Sequence, residues 1–204
     1  MKPLILVDID RTIFDTDKFH SLYTKMFLPV LQTSLAGFET SRQSYSAGLI
    51  SPTDFLPANY LKHLASHFSA PYKKLHRIYY DSQNFKESLY SDTVPALKSL
   101  KDSYILGIFS EGYPSFQKTK LKKSGIYDLF DQKFLHVHRR KTLPSVLQKL
   151  PDQTIIIDDK SQVIDALKSY KGLRGILIDR NQKFHRHDSV TSLSQLQDFI
   201  SKAH

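Results

Sequence analysis

Leu4-Ile5-Leu6-Val7-Asp8-Ile9-Asp10-Arg11-Thr12 decides the fold of this 204-residue chain. Four aliphatic residues without polar alternation read as a short strand buried on both faces, as in a parallel sheet. Two carboxylates follow, two residues apart, so in an extended chain both point to the same side. Carboxylates leaving the C-terminal end of a core strand sit where open α/β sheets bind ligands. Like charges this close repel, so the position calls for a cation, a shared proton or both.

Further along the chain, residues 104–109, 133–137, 154–157 and 174–178 repeat the same strand pattern, rich in Ile, Leu and Val. From Leu100 onward they alternate with helical stretches. The expected fold is therefore α/β, a doubly wound parallel five-stranded sheet of Rossmann-like form. Asp92, with Pro95 in the following turn, reads as the N-cap of a helix carrying Leu97 and Leu100. Ser161 opens a second helix with Val163, Ile164 and Leu167 on one face. Residues 190–202 place Leu193, Leu196 and Ile200 at spacings of three and four, a closing amphipathic helix.

The gap between the first two strands is too long for an unstructured loop. It has helix-like patches at 17–31, 52–68 and 71–80. Residues 35–51, rich in Ser, Gly and Thr, read as a helix–helix connection. The expected division is a core of residues 1–13 and 90–204 with a helical cap of residues 14–89. The cap aromatics Phe55, Tyr60, Phe68, Tyr72, Tyr79 and Tyr80 are expected mostly in its core, some lining a pocket.

Two other strand ends add to the first. Asp158-Asp159 ends the fourth strand and Ser110-Glu111-Gly112 ends the second. Carboxylates and a hydroxyl brought together at one sheet edge make a hard, oxygen-rich site, suited to Mg²⁺.

With these motifs in view the chain resembles the haloacid dehalogenase-like (HAD) superfamily, in its phosphatase branch with a helical cap after the first strand. The first motif is matched by Asp8, Asp10 and Thr12, with Ile13-Phe14-Asp15-Thr16 similar to the usual start of such caps. The second is matched by Ile108–Gly112, the fourth by Ile155–Asp159, and the third, a lysine before a helix, by Lys141. Arg139, Arg140 and Lys133 lie close enough in sequence to compete for that last place. The resemblance implies that Asp8 attacks phosphorus to form an aspartyl-phosphate. It implies that Asp10 protonates the leaving oxygen and then activates water. Ser110, Glu111 through its backbone, and Lys141 would bind the phosphoryl oxygens. Mg²⁺ would be held by Asp8, the carbonyl of Asp10, and Asp159, with Asp158 beside them.

The chemistry of these residue types agrees with those roles. A carboxylate nucleophile divides one slow displacement into two easier steps. Two anions approach only where cations neutralise them, and positioned charge supplies most of the rate. A dehalogenase needs no proton donor at the second aspartate, because halide leaves unprotonated; Asp10 therefore argues for phosphoryl transfer. Two residues depart from the family pattern. Arg11 stands where glycine is common. Glu111 stands where a small or amide residue is usual; pointing inward it would repel phosphate, and a solvent-facing orientation is expected.

The chain carries 29 Lys+Arg against 20 Asp+Glu, a net charge of +9, and no cysteine. Disulfides, thiolate metal sites and cysteine nucleophiles are thus excluded. No apolar run approaches the ~18 residues that span a bilayer. The N-terminus has too short an apolar stretch for a signal peptide, so a cytoplasmic location is expected. The basic surplus suits a small phosphorylated substrate better than nucleic acid. Sugar phosphomutase chemistry on the same core, and polyanion binding without catalysis, are the alternatives. The expected assembly is a monomer or homodimer. His136, His138, Arg139 and Arg140 form a basic cluster that reads as a solvated loop, with a rim attracting phosphorylated substrate as the alternative. Lys118, Lys120, Lys122 and Lys123 read as the solvated face of a helix. Lys183, His185, Arg186 and His187 read as a surface loop.

Overall fold

The computed structural model describes residues 2–184 and 186–202, so His185 lies outside the described residues. Strand β1 (Leu4–Val7) runs straight into the carboxylate turn. A helical insertion follows, with α1 (Thr16–Leu31), α2 (Leu35–Ala47), α3 (Pro57–His67), α4 (Tyr72–Tyr79) and α5 (Ser82–Glu87). The chain re-enters the sheet through α6 (Thr93–Ser103) and β2 (Ile105–Glu111). It continues with α7 (Pro114–Ser124), β3 (Leu135–His138), α8 (Pro144–Leu147), β4 (Thr154–Asp158) and α9 (Ser161–Leu167). It closes with β5 (Leu173–Ile178), β6 (Ser189–Val190) and α10 (Leu196–Ser201).

The strands lie in the order β3-β2-β1-β4-β5-β6, and every pair is parallel. Side-chain alternation divides each central strand between two layers. Leu4, Leu6, Ile156 and Leu177 pack on α8 and α9, whereas Ile5, Val7, Ile155, Ile157, Ile176 and Ile178 face the larger core on the other side. Val7 pairs with Ile108 on one side and Ile157 on the other, and the Asp8 amide donates to the Ile157 carbonyl at 2.9 Å. The ends of β1, β2 and β4 are thereby held level. The strand order turns back at β1, so Asp8 stands at the topological switch point.

The five expected strands are present, each within two residues of its expected limits. The sheet has a sixth strand as well: Ser189–Val190, pairing with Leu177 and Ile178, starts where the closing helix was expected to begin. That helix is shorter, a 3₁₀ turn over Leu193–Gln195 capped by Ser192 and leading into α10, but Leu193, Leu196 and Ile200 are buried as expected.

Residues 35–47 are a helix, not a connection. Ser34 caps it by accepting from the Gly37 amide, and its inner face buries Phe38 and Ser41. Ser41 Oγ meets His63 Nε2 of α3 at 3.1 Å, so tertiary contacts override a composition of weak helix formers.

Asp92 stands at the N-cap position of α6 yet does not cap it with its side chain. Its carboxylate receives two bonds from the Arg180 guanidinium, both 3.1 Å, and the Leu193 amide at 2.8 Å. Arg180 also donates to the Thr12 carbonyl and lies over the Tyr90 ring at 3.7 Å. One guanidinium thus joins the carboxylate turn, the return from the insertion and the start of α6.

The insertion departs and returns at adjacent points. Phe14 bridges to Leu89, the Asp15 amide donates to the Ser88 carbonyl at 2.7 Å, and the Tyr90 amide donates to the Ile13 carbonyl. Tyr60 and Tyr79 are buried among the packed aromatics of the insertion, which also include Phe19, Tyr23 and Phe27. Among the described residues no helix is long and apolar enough to cross a membrane.

Candidate active site

After Val7 the chain leaves the sheet in a tight turn. The amides of Thr12, Ile13 and Phe14 all donate to the Ile9 carbonyl, and the Arg11 amide donates to Phe14. Arg11 adopts a left-handed backbone, φ 57°, a conformation that costs a residue with a Cβ and is free to glycine. This is the physical reason a glycine would suit position 11. Its half-exposed side chain lies at the cavity wall, paired with Asp17 at 3.0 Å.

Asp8 is buried at the end of β1, and Lys141 Nζ stands 2.9 Å from its Oδ1. The same ammonium pairs with Asp158 Oδ2 and donates to the Phe109 carbonyl at 3.3 Å. Lys141 has no solvent exposure. Burial works against its charge, but Asp8 and Asp158 more than compensate and hold it as ammonium well above the usual lysine range. Arg139 instead pairs with Asp54 of the insertion and lies over the Tyr113 ring at 4.4 Å, while Arg140 and Lys133 are exposed. Of the four cations near this point in the sequence, Lys141 is the one that reaches the Asp8 carboxylate.

Carboxylate oxygens of Asp8, Asp158 and Asp159 come within 4.8 Å of one another. Burial, with the Asp8 charge next to it, pushes the Asp159 carboxyl up to about 6, against the pull of Lys141, Lys160 and Arg11. Asp158 is also raised, chiefly by burial and in spite of Lys141. Asp159 Oδ1 is buried with no hydrogen-bond partner among the described residues. An orphaned acceptor in a repelling set of hard oxygens is the arrangement that a divalent cation satisfies.

Asp10 faces the same cavity in a different electrostatic setting. Thr16 donates to its Oδ1 at 2.7 Å and Gln117 to its Oδ2 at 2.9 Å, and Lys120 Nζ lies 2.5 Å from Oδ1. Burial alone would raise this carboxyl; the Lys120 charge and the three donors overcome it and hold the pKa at about 2. The Asp10 side chain therefore stands apart from the three-carboxylate cluster.

Ser110 is buried at the end of β2 and lines the cavity with Asp8. Glu111 does not face solvent, contrary to expectation. Its Oε1 accepts from the Lys141 amide at 3.2 Å and its Oε2 from Lys160 Nζ at 2.7 Å. Burial raises its pKa, and the Lys160 bond more than offsets that, leaving it lowered. A neutralising lysine is what allows an inward carboxylate beside an anion site.

Lys120 also corrects its reading as a solvated residue. Gln117, Lys120 and Ser124 are buried at spacings of three and four, so α7 turns a polar stripe inward. That spacing of polar residues was the available signal. Lys120 also lies over the rings of Phe14 and Phe116, which shield the ion pair from water. His136 and His138 stack in β3, half-buried, with burial lowering both pKa values. Burial thus disfavours the charged form of both, which weakens their part in a basic rim. The cavity in front of these groups, about 630 Å³, is lined on its far side by α1, α2 and the 3₁₀ turn Pro52–Asp54, with Phe55 and Tyr79 among its walls.

A family model described as haloacid dehalogenase-like hydrolase matches residues 5–168, from β1 to the end of α9. The chain belongs to this family. As a HAD hydrolase it is an enzyme of the hydrolase class. No curated protein matches it. Among solved structures it is similar to a HAD phosphatase from Thermococcus onnurineus, at 21% identity and TM-score 0.64 over 98% of each chain. It is similar to the HAD hydrolase YfnB of Bacillus subtilis, described as bound to magnesium, at 17% identity and TM-score 0.63 over 98% of each chain. The L-2-haloacid dehalogenase of Xanthobacter autotrophicus is also similar, at 15% identity and TM-score 0.61 over the whole of both chains. At these identities the likenesses establish the HAD fold and leave the reaction to the site.

Proposed function

We propose that this HAD hydrolase is a Mg²⁺-dependent phosphatase acting on a small phosphorylated metabolite through an aspartyl-phosphate on Asp8, with residues 14–89 serving as its cap. The observation that carries the reading is the pair of aspartates two residues apart in opposite settings. Asp8 sits against a fully buried lysine in a three-carboxylate cluster, and Asp10 sits against a second buried lysine. Separate environments for neighbouring carboxyls are how one site runs nucleophilic and acid–base chemistry together. Dehalogenation has no use for the second one.

Asp8 attacks phosphorus, and its bond to phosphorus forms as the ester oxygen leaves. Ser110 and Lys141 hold the phosphoryl oxygens, and Lys141 offsets the charge that gathers on them. Asp10 gives a proton to the leaving oxygen. It then takes one from the water that opens the aspartyl-phosphate, releasing inorganic phosphate and restoring Asp8. As a carboxylate with pKa about 2, Asp10 stands ready for that second step. For the first it must carry a proton, so Lys120 has to loosen its hold when ester binds. Asp8, Asp159 and the Asp10 carbonyl, with Asp158 alongside, would hold Mg²⁺, which would supply the positive charge that lets two anions meet. The walls from α1 and α2 exclude bulk water from the first step.

The test is phosphate release from p-nitrophenyl phosphate with Mg²⁺, with 2-chloropropionate as the dehalogenase control. Asp8→Asn is expected to lower kcat by about 10³-fold or more. Undiminished turnover by that variant, or chloride release in place of phosphate release, would overturn the reading.

A further inference from the structure

A cavity of about 630 Å³ has room for an organic molecule well beyond a phosphate group. The cations that line it are not equivalent. Arg11 is committed to Asp17 through Nε and Nη2, Lys120 to Asp10, and Lys160 to Glu111. Arg42, on α2, is held differently. Its Nε donates to Glu39 Oε2 at 2.7 Å, and neither terminal nitrogen has a hydrogen-bond partner among the described residues. The other oxygen of Glu39 lies 3.6 Å from His20 Nε2, beyond hydrogen-bond reach, and the His20 ring packs on Tyr23 and Phe38. The guanidinium is therefore anchored at its root with its two-pronged end uncommitted. Ser46, one helical turn further on, lines the same wall.

We propose that Arg42 docks a second anionic group, a carboxylate or a phosphate, on the alcohol portion of the substrate. A planar guanidinium with two parallel N–H donors matches the oxygens of either group, and a pre-oriented one loses little freedom on binding. Catalytic-end phosphate at Asp8 and a distal oxyanion at Arg42 define the substrate class: a phosphomonoester with a second acid group. This rests on the phosphatase reading above.

The experiment compares kcat/KM for 2-phosphoglycolate and 3-phosphoglycerate, which carry a carboxylate, and fructose 1,6-bisphosphate, which carries a second phosphate. Glycerol 3-phosphate, whose alcohol is neutral, is the reference. The wild type is expected to favour at least one two-anion ester by about tenfold or more. The arm that responds tells carboxylate from phosphate. Arg42→Gln is expected to erase that preference, mainly through KM, and Arg42→Lys to restore part of it. Calorimetric binding of the favoured ester to Asp8→Asn protein is expected to weaken at least about tenfold when Arg42→Gln is added. Arg42 is 39% exposed, and a circular dichroism spectrum checks that its replacement folds. A wild type that treats all four esters alike, or a preference that survives Arg42→Gln, overturns the proposal while leaving phosphatase chemistry intact. Absence of phosphate release from every ester, p-nitrophenyl phosphate included, overturns the phosphatase reading and this proposal with it.

Discussion

Two buried lysines, Lys141 and Lys120, carry the charge balance of the site, one for each aspartate of the opening motif. Replacing Lys120 with Met removes the cation that offsets the burial of Asp10. Its pKa is then expected to climb from about 2, with Thr16 and Gln117 still bonded to it, and a carbon-13 titration of the Asp10 carboxyl would detect the rise. The sign for stability follows. A depressed carboxylate pKa stabilises the folded state above the unfolded value near 4, and that contribution is lost as pH falls through about 2. The Lys120→Met protein is therefore expected to lose stability at pH 6 and to converge on the wild type near pH 2, as followed by urea denaturation. Asp8, Asp10, Ser110 and the Asp158-Asp159 pair were legible as candidates because each stands at a strand end, whereas Lys141 was one of four cations that only the family resemblance set apart. Lys120 left only the weak signal of its polar spacing with Gln117 and Ser124, and Arg42 left none, because an arginine in a segment of weak helix formers does not tell which way it is turned until the packing is known.

At the scale of elements, the parallel strands announced themselves through unbroken aliphatic runs, since both of their faces are covered. The α2 segment did not. Its Ser, Gly and Thr residues compete with helical hydrogen bonds, and the helix stands because Phe38 and Ser41 find partners distant in the chain. The β6 pairing involves two residues, too few for a periodicity. Position 107 shows how closely β2 is packed. A Cβ there would lie 2.6 Å from the Phe134 carbonyl oxygen and 2.6 Å from a Leu6 methyl, with backbone on one side that has no freedom to withdraw. Gly107→Ala is expected to destabilise the protein by about 1–3 kcal/mol, measurable by chemical denaturation.

For the whole molecule, the three-carboxylate cluster is a site of stored repulsion at one edge of the sheet. A cation that binds the folded chain and not the unfolded one raises its stability by mass action. Magnesium at 100 times its dissociation constant is expected to add about 2.7 kcal/mol, read as a rise in melting temperature of several degrees. Asp159→Asn is expected to remove most of that rise while leaving the metal-free melting temperature unchanged or higher, since a repelling charge is gone. Equal shifts in both proteins would place the cation elsewhere. The net charge of +9 is carried by a chain that gathers four aspartates and two buried lysines into this one region, so the remaining surface is slightly more basic than the total suggests.

The adjoining crossings at Phe14–Leu89 and Ile13–Tyr90 have a consequence for how such a chain can change over generations. Because the two ends of the insertion are bonded to each other, the sheet meets everything between them as if it were a single hairpin turn. A different set of helices with the same two adjoining ends would join the sheet without shifting any strand. Chemistry and selectivity can then vary separately, the first written at the strand ends and the second in the helices between.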